Sequence, residues 1–141
     1  MPARSATAEW RGDLAGGLGT VSTESRAIDM AYSFPSRFEN GEGTNPEELL
    51  GAAHAGCYSM ALSAGLGRAG FTPTSVQTEA RVHLEKVEGG FGVTLIELDC
   101  NAEVPGIGEE AFQEHARAAK AGCPISKALA SVDIRLAARL T

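Results

Sequence analysis

Apolar and polar positions change their period along this chain. In the first forty residues they alternate. Ala6, Ala8 and Trp10 recur at period two, Asp13 to Gly19 is a glycine-rich turn, and Thr20–Glu24 and Ala27–Phe34 follow as short strands. Gly41 to Asn45 is a glycine and polar loop. The period then becomes helical. Asn45-Pro46-Glu47-Glu48 supplies an N-cap, a proline at the first helical position and a glutamate three residues after the cap, the pattern of a capping box. This helix runs to about Ala69 and stops at Gly70. Ser75–Val87 and Gly92–Val104 alternate on either side of Gly89-Gly90 and predict a β-hairpin, which Pro105-Gly106 ends. Glu109–Ala121 has helical spacing, with acids at its start and Arg117 and Lys120 near its end. Gly122-Cys123-Pro124 interrupts, a short helix continues to about Leu129, and Val132–Leu140 closes the chain as a strand. The order β-β-β-α-β-β-α-α-β predicts an α+β fold with antiparallel sheets rather than a doubly wound parallel one.

Composition narrows the class. The 141 residues make one domain, 1–141, with 43% hydrophobic and 21% charged residues, as expected of a globular protein. The net charge is −6 and basic residues form no run, which argues against nucleic acid or an anionic membrane surface as a partner. Leu49–Gly67 is nineteen residues without a formal charge, but it is built from small residues and is poorly hydrophobic for a bilayer span. Residues 1–10 have no apolar run of the kind a secretory signal needs. Three cysteines, 43 and 23 residues apart, do not make a disulfide framework. A cytoplasmic, soluble protein is expected.

Several side chains are candidates for chemistry. Gly65-Leu66-Gly67-Arg68-Ala69-Gly70 fits GxGxxG but lies at the end of a helix, where it cannot present a helix N-terminus to a pyrophosphate; it terminates the helix instead. Leu50, Ala53, Cys57, Ala61 and Ala64 fall on one helical stripe, so Cys57 is expected to face inward, and a small core hydrophobe is its plain reading. Cys123 precedes Pro124 and so sits near a helix N-cap, where free N–H groups favour a thiolate; a mere helix-boundary residue is the alternative. Cys100 shares the parity of Ile96, Leu98, Ala102 and Val104 and is expected to be buried and inert. His54 lies one turn before Cys57 and is either a base for that thiol or a satisfied core histidine. His54, His83 and His115 have no metal-ligand spacing, so neither a metal nor a cofactor is expected. On a helical wheel Glu48 lies about 180° from Cys57 and Glu47 about 80°. Glu47 is thus the acid without a capping duty and with the better direction.

The stretches Thr44-Asn45-Pro46-Glu47-Glu48-Leu49-Leu50-Gly51-Ala52-Ala53-His54-Ala55-Gly56-Cys57 and Ala121-Gly122-Cys123-Pro124-Ile125-Ser126-Lys127 closely resemble the OsmC/Ohr family of osmotically inducible and organic hydroperoxide resistance proteins, its OsmC branch in particular. The likeness continues through Gly19-Thr20-Val21-Ser22-Thr23-Glu24-Ser25, Arg37-Phe38-Glu39 and Ala69-Gly70-Phe71-Thr72-Pro73-Thr74-Ser75. It implies a thiol peroxidase of the oxidative and osmotic stress response that prefers organic hydroperoxides to hydrogen peroxide. Cys57 would be the peroxidatic thiolate and Cys123 the thiol that resolves its sulfenic acid as an intramolecular disulfide. Arg37 would stabilise the thiolate and orient the peroxide, and Glu47 would position Arg37. The resemblance also implies an intertwined homodimer with a long central helix, and a dithiol reductant, lipoyl-linked or thioredoxin-like.

Elementary chemistry gives these assignments a reason. A buried thiol stays protonated at neutral pH unless a cation lowers its pKa, and a guanidinium supplies a fixed, permanent charge. Glu47 and Cys57 are about 15 Å apart along a straight helix, beyond the reach of one glutamate. Arg37 and Glu47 are therefore expected to reach Cys57 from the partner subunit, or else the helix is bent or broken between them. Two other classes use the same residues differently: a protein binding a small molecule or acyl group with its cysteines merely buried, and a dithiol redox sensor that signals without turnover.

Overall fold

The computed structural model describes residues 1–141. They form two compact units, residues 1–49 and 50–141.

The first unit is a three-stranded antiparallel sheet of β1 (Ala6–Arg11), β2 (Leu18–Thr23) and β3 (Asp29–Tyr32), in that order. The rings of Trp10 and Tyr32 pack edge to face on it, 5.4 Å apart. The predicted strand Ala27–Phe34 is shorter than expected, because a helix, α1 (Phe34–Phe38), begins within it. Ser33 and Ser36 close a reciprocal capping box, and Pro35 lies in the first turn with its φ already helical. That local signal outweighs the alternation before it. Thr44 joins the sheet through an isolated parallel bridge to Tyr32, its N–H donating to the Ala31 carbonyl oxygen at 3.0 Å.

The helix α2 (Pro46–Arg68) is unbroken over 23 residues. Asn45 caps it as predicted, its side-chain oxygen accepting from the Glu48 N–H at 2.8 Å. Glu48 does not complete the box; its carboxylate takes the Thr44 hydroxyl hydrogen instead, at 2.8 Å. The other end is a Schellman motif. The Phe71 N–H reaches the Leu66 carbonyl, the Gly70 N–H reaches that of Gly67, and Gly70 has φ +92°. The GxGxxG string is thus a helix terminus, as its position implied.

In the second unit, β4 (Ser75–Val87) and β5 (Gly90–Glu103) form the expected hairpin, and β6 (Asp133–Leu140) joins the free edge of β5. One pairing departs from expectation: β6 runs parallel to β5, so this sheet is mixed. The helices α3 (Glu109–Gly122) and α4 (Pro124–Ala128) carry the chain back between them, as a parallel connection requires. Ile96, Leu98, Cys100 and Ala102 face the core from β5, with Val104 just beyond its end, while Phe112, Ala116 and Ala119 meet them from α3. The buried face of α2 is Gly51, His54, Tyr58, Leu62 and Leu66. This corrects the predicted stripe: Ala53 and Ala64 are exposed and Cys57 lies at the edge of the core, because the large side chains one position on bury far more apolar surface. Gly51 permits the approach of α2 to β4, since a Cβ there would lie 3.2 Å from the Ala80 carbonyl oxygen. No helix is long and apolar enough to cross a membrane.

Gly70→Ala should destabilise the protein by about 1 kcal/mol or somewhat more, because alanine is strained at this positive φ. Denaturant unfolding of the two proteins, read as the difference in midpoint at a common slope, checks this.

Candidate active site

Pro124 organises the thiols. It has no N–H to extend α3 and disfavours a helical conformation at the residue before it, so Cys123 takes φ −58°, ψ 126° between the two helices. The Cys123 N–H closes α3 on the Ala119 carbonyl at 2.9 Å, and its own carbonyl accepts the Lys127 N–H at 3.0 Å to open α4. The N-cap expectation is met. The side chain is turned into the core, fully buried.

Cys57 comes to the same place from α2. The two thiols, both reduced, meet in hydrogen-bond contact. Burial pushes the Cys57 thiol up, the neighbouring Cys123 thiol pushes it further, and the Ile125 N–H offsets only part of this. Cys123 moves the other way. Burial opposes its ionisation, but the Cys57 thiol, the Ser126 N–H and hydroxyl and the Ile125 N–H together outweigh burial and hold its pKa below the usual thiol value. Cys100 is buried on β5 with its pKa raised, foremost by burial, and is not part of this pair.

His54 does not serve Cys57. It is fully buried, and its Nε2 lies 2.8 Å from Ser126 Oγ, while burial lowers its pKa. Ser126 escaped the sequence reading. Its signal was present: it stands three residues after an N-cap, where a side chain turns back toward the cap. The Tyr58 hydroxyl donates to the Ala116 carbonyl at 3.2 Å and joins α2 to α3 beside the thiols; burial foremost holds its ionisation well above the usual phenol range.

The other predicted pair lies in the first unit together with the start of α2. Arg37, on α1, donates from Nε to both oxygens of Glu47, at 3.0 and 3.3 Å, and from Nη2 to Oε1 at 2.7 Å. The guanidinium also sits over the Phe38 ring, 5.3 Å from its centre. With 12% of its side chain exposed, Glu47 is the well-shielded member, while Arg37 keeps 36% open. Glu47 thus holds Arg37 in a two-pronged ion pair, while Glu48 accepts from Thr44 at the helix start. The structure brings Arg37 to Glu47 and Cys57 to Cys123, each pair within a different compact unit.

A family model described as OsmC-like protein matches residues 39–137. The chain belongs to the OsmC-like family. Among its relatives, Peroxiredoxin OsmC of Escherichia coli (strain K12) is 55% identical over 123 residues, covering 86% of both chains. Organic hydroperoxide resistance protein OhrB of Bacillus subtilis (strain 168) is 33% identical over 127 residues, covering 86% of this chain and 89% of its own. The crystal structure of OhrB of Bacillus subtilis superposes with a TM-score of 0.74 at 28% identity, covering 96% of this chain and 98% of that one. The α+β fold expected from the sequence is therefore the fold of this OsmC-like family.

The buried imidazole makes stability depend on pH. The folded-state pKa of His54 lies below its unfolded value of about 6.5, so the unfolded chain binds the proton first. The contribution of neutral His54 is complete above that value and is lost as pH falls through it. Between pH 7 and 5 the denaturation midpoint of the parent should fall more steeply than that of His54→Gln; parallel profiles would contradict the assignment.

Proposed function

We propose that this OsmC-like protein is a cysteine-based peroxidase that reduces organic hydroperoxides, and hydrogen peroxide less well. The observation that carries this reading is the meeting of Cys57 and Cys123, remote in sequence, as a reduced pair in contact inside an apolar core. Relatives named for peroxiredoxin activity and for organic hydroperoxide resistance support it.

In this reading the Cys57 thiolate attacks the terminal peroxide oxygen. The O–O bond breaks, the alkoxide leaves and takes a proton as the alcohol, and Cys57 becomes a sulfenic acid. The Cys123 thiolate then attacks that sulfur, an S–S bond forms, and the lost hydroxyl departs as water. A dithiol reductant, lipoyl-linked or thioredoxin-like, reopens the disulfide and restores both thiols. No cofactor takes part.

Burial raises the Cys57 pKa, so its ionisation needs a cation, and Arg37 is the residue assigned to supply it, with Glu47 fixing the plane of the guanidinium. Because α2 is continuous from Pro46 to Arg68, a break does not shorten the roughly 15 Å between Glu47 and Cys57. Arg37 and Glu47 therefore serve the Cys57 of a partner subunit in a homodimer. The exposed apolar side chains Leu18 and Met30 on the first sheet and Met60 on α2 are consistent with such a partner. The apolar lining suits the carbon tail of an organic hydroperoxide and adds nothing for hydrogen peroxide. The whole chain acts as one cytoplasmic domain, without nucleic acid or membrane.

One equivalent of cumene hydroperoxide should remove two thiols and lower the intact mass by 2 Da, the two hydrogens a disulfide releases. Cys57→Ser should abolish peroxide consumption, and Cys123→Ser should stop at a sulfenic acid trapped by dimedone. Survival of all three thiols would favour a binding protein, and oxidation without turnover on any dithiol would favour a sensor. A mixed dimer of Cys57→Ser and Arg37→Ala chains should regain one working site; activity no better than either parent would refute shared sites.

A further inference from the structure

We infer that His54 and Ser126 form a hydrogen-bond relay onto Cys123 that holds this thiol ready to close the disulfide, so that both are positioning residues for the resolving half of the reaction. The inference rests on the peroxidase reading and adds to it a task for two buried polar side chains that the attack on peroxide does not use.

His54 is fully buried, and Ser126 is nearly so. The 2.8 Å contact between Nε2 and Oγ satisfies one ring nitrogen, whereas Nδ1 is buried with no hydrogen-bond partner. An aromatic hydrocarbon ring would fill this part of the core without that cost. The orphaned nitrogen also decides the tautomer. A buried N–H without an acceptor is the rarer arrangement, so Nδ1 carries the bare lone pair and Nε2 carries the hydrogen. Nε2–H then donates to Ser126 Oγ, leaving the serine hydrogen to point elsewhere. The sulfur of Cys123, one turn back on the same short helix, receives it. The order is His54 Nε2–H to Ser126 Oγ–H to Cys123 Sγ, with each donor strengthening the next.

The other titratable groups facing Cys123 are Cys57 and Tyr58, both from α2. Tyr58 already gives its hydroxyl hydrogen to Ala116. Once oxidised, Cys57 has exchanged its S–H for an S–O–H whose hydroxyl must leave during resolution, so the donor it offers the resting Cys123 is not kept through that step. The relay from His54 persists through that change. It stabilises the Cys123 thiolate as the S–S bond forms, the S–O bond of Cys57 breaks, and the hydroxide leaves as water after taking up the proton that Cys123 released. Cys123 is oxidised in this step and the Cys57 sulfur is reduced, with no further oxidant or reductant.

Two measurements test the relay. The first follows thiolate ultraviolet absorbance against pH in Cys57→Ser protein, with the Cys57→Ser/Cys123→Ser double variant subtracted. Adding Ser126→Ala should raise the Cys123 pKa by about one unit, the effect of one hydrogen bond to a charged sulfur. His54→Phe should raise it by less, and His54→Gln, which keeps an N–H at the same reach, should restore it. The second uses protein with both thiols intact in a single turnover with cumene hydroperoxide. Ser126→Ala should leave peroxide consumption unchanged and slow disulfide closure about threefold below the thiol pKa, the roughly tenfold loss of thiolate being offset in part by the greater nucleophilicity of the more basic sulfur. An unshifted Cys123 titration in folded Ser126→Ala protein, or closure at the parent rate, would overturn the relay. Should the parent protein leave peroxide untouched, the peroxidase reading fails, while the titration still decides whether His54 and Ser126 act on Cys123.

Discussion

The burial of one face of α2 against β4, β5 and α3 governs the position of both thiols. Tyr58, Leu62 and Leu66 are wholly removed from water there, and side chains of this size outweigh any preference of the alanines around them. Once that face is set, Cys57 has no freedom: it lies one residue before Tyr58 and must come to rest at the margin of the core. The hydrogen bond from Tyr58 to Ala116 then fixes α3 in register with α2, and α3 delivers Cys123 at its end.

Electrostatics opposes what packing builds. An apolar core is a good place to bring two sulfurs together and exclude water, and a poor place to ionise one. The chain answers this differently for the two thiols. Cys123 lies at a break between helices, and donors from the next turn, Ile125 and Ser126, face its sulfur. Cys57 lies in the middle of a helix whose own N–H groups are committed to it, and the Ile125 N–H offsets only part of the cost of burial, so its charge has to be stabilised from elsewhere. The Arg37–Glu47 pair has the features of such an external cation: permanent charge, two-pronged geometry and a carboxylate shielded enough to keep its orientation.

Much of this was legible in the residues. Period two and period 3.6 alternation located nine of the ten elements, and the caps at Asn45, Gly70 and Cys123 fell where Asn, Gly and a residue before Pro belong. The parity of Cys100 with Ile96 and Leu98 placed it in the core. The element that was missed, α1, is five residues long, too short for a hydrophobic period, and its capping serines and the proline in its first turn are its local trace. The parallel pairing of β6 was not legible, because a strand's own pattern is the same whichever way its neighbour runs.

By itself the sequence determined most of the local elements, their ends and the candidate cysteines, since these depend on neighbours within one or two turns. The tertiary structure alone decided which face of α2 is buried, which thiol sits beside which, and that His54 serves Ser126 rather than Cys57. The reason is physical. A helix of small residues has a weak preference for any one face, and only the shapes brought against it from distant segments choose between them.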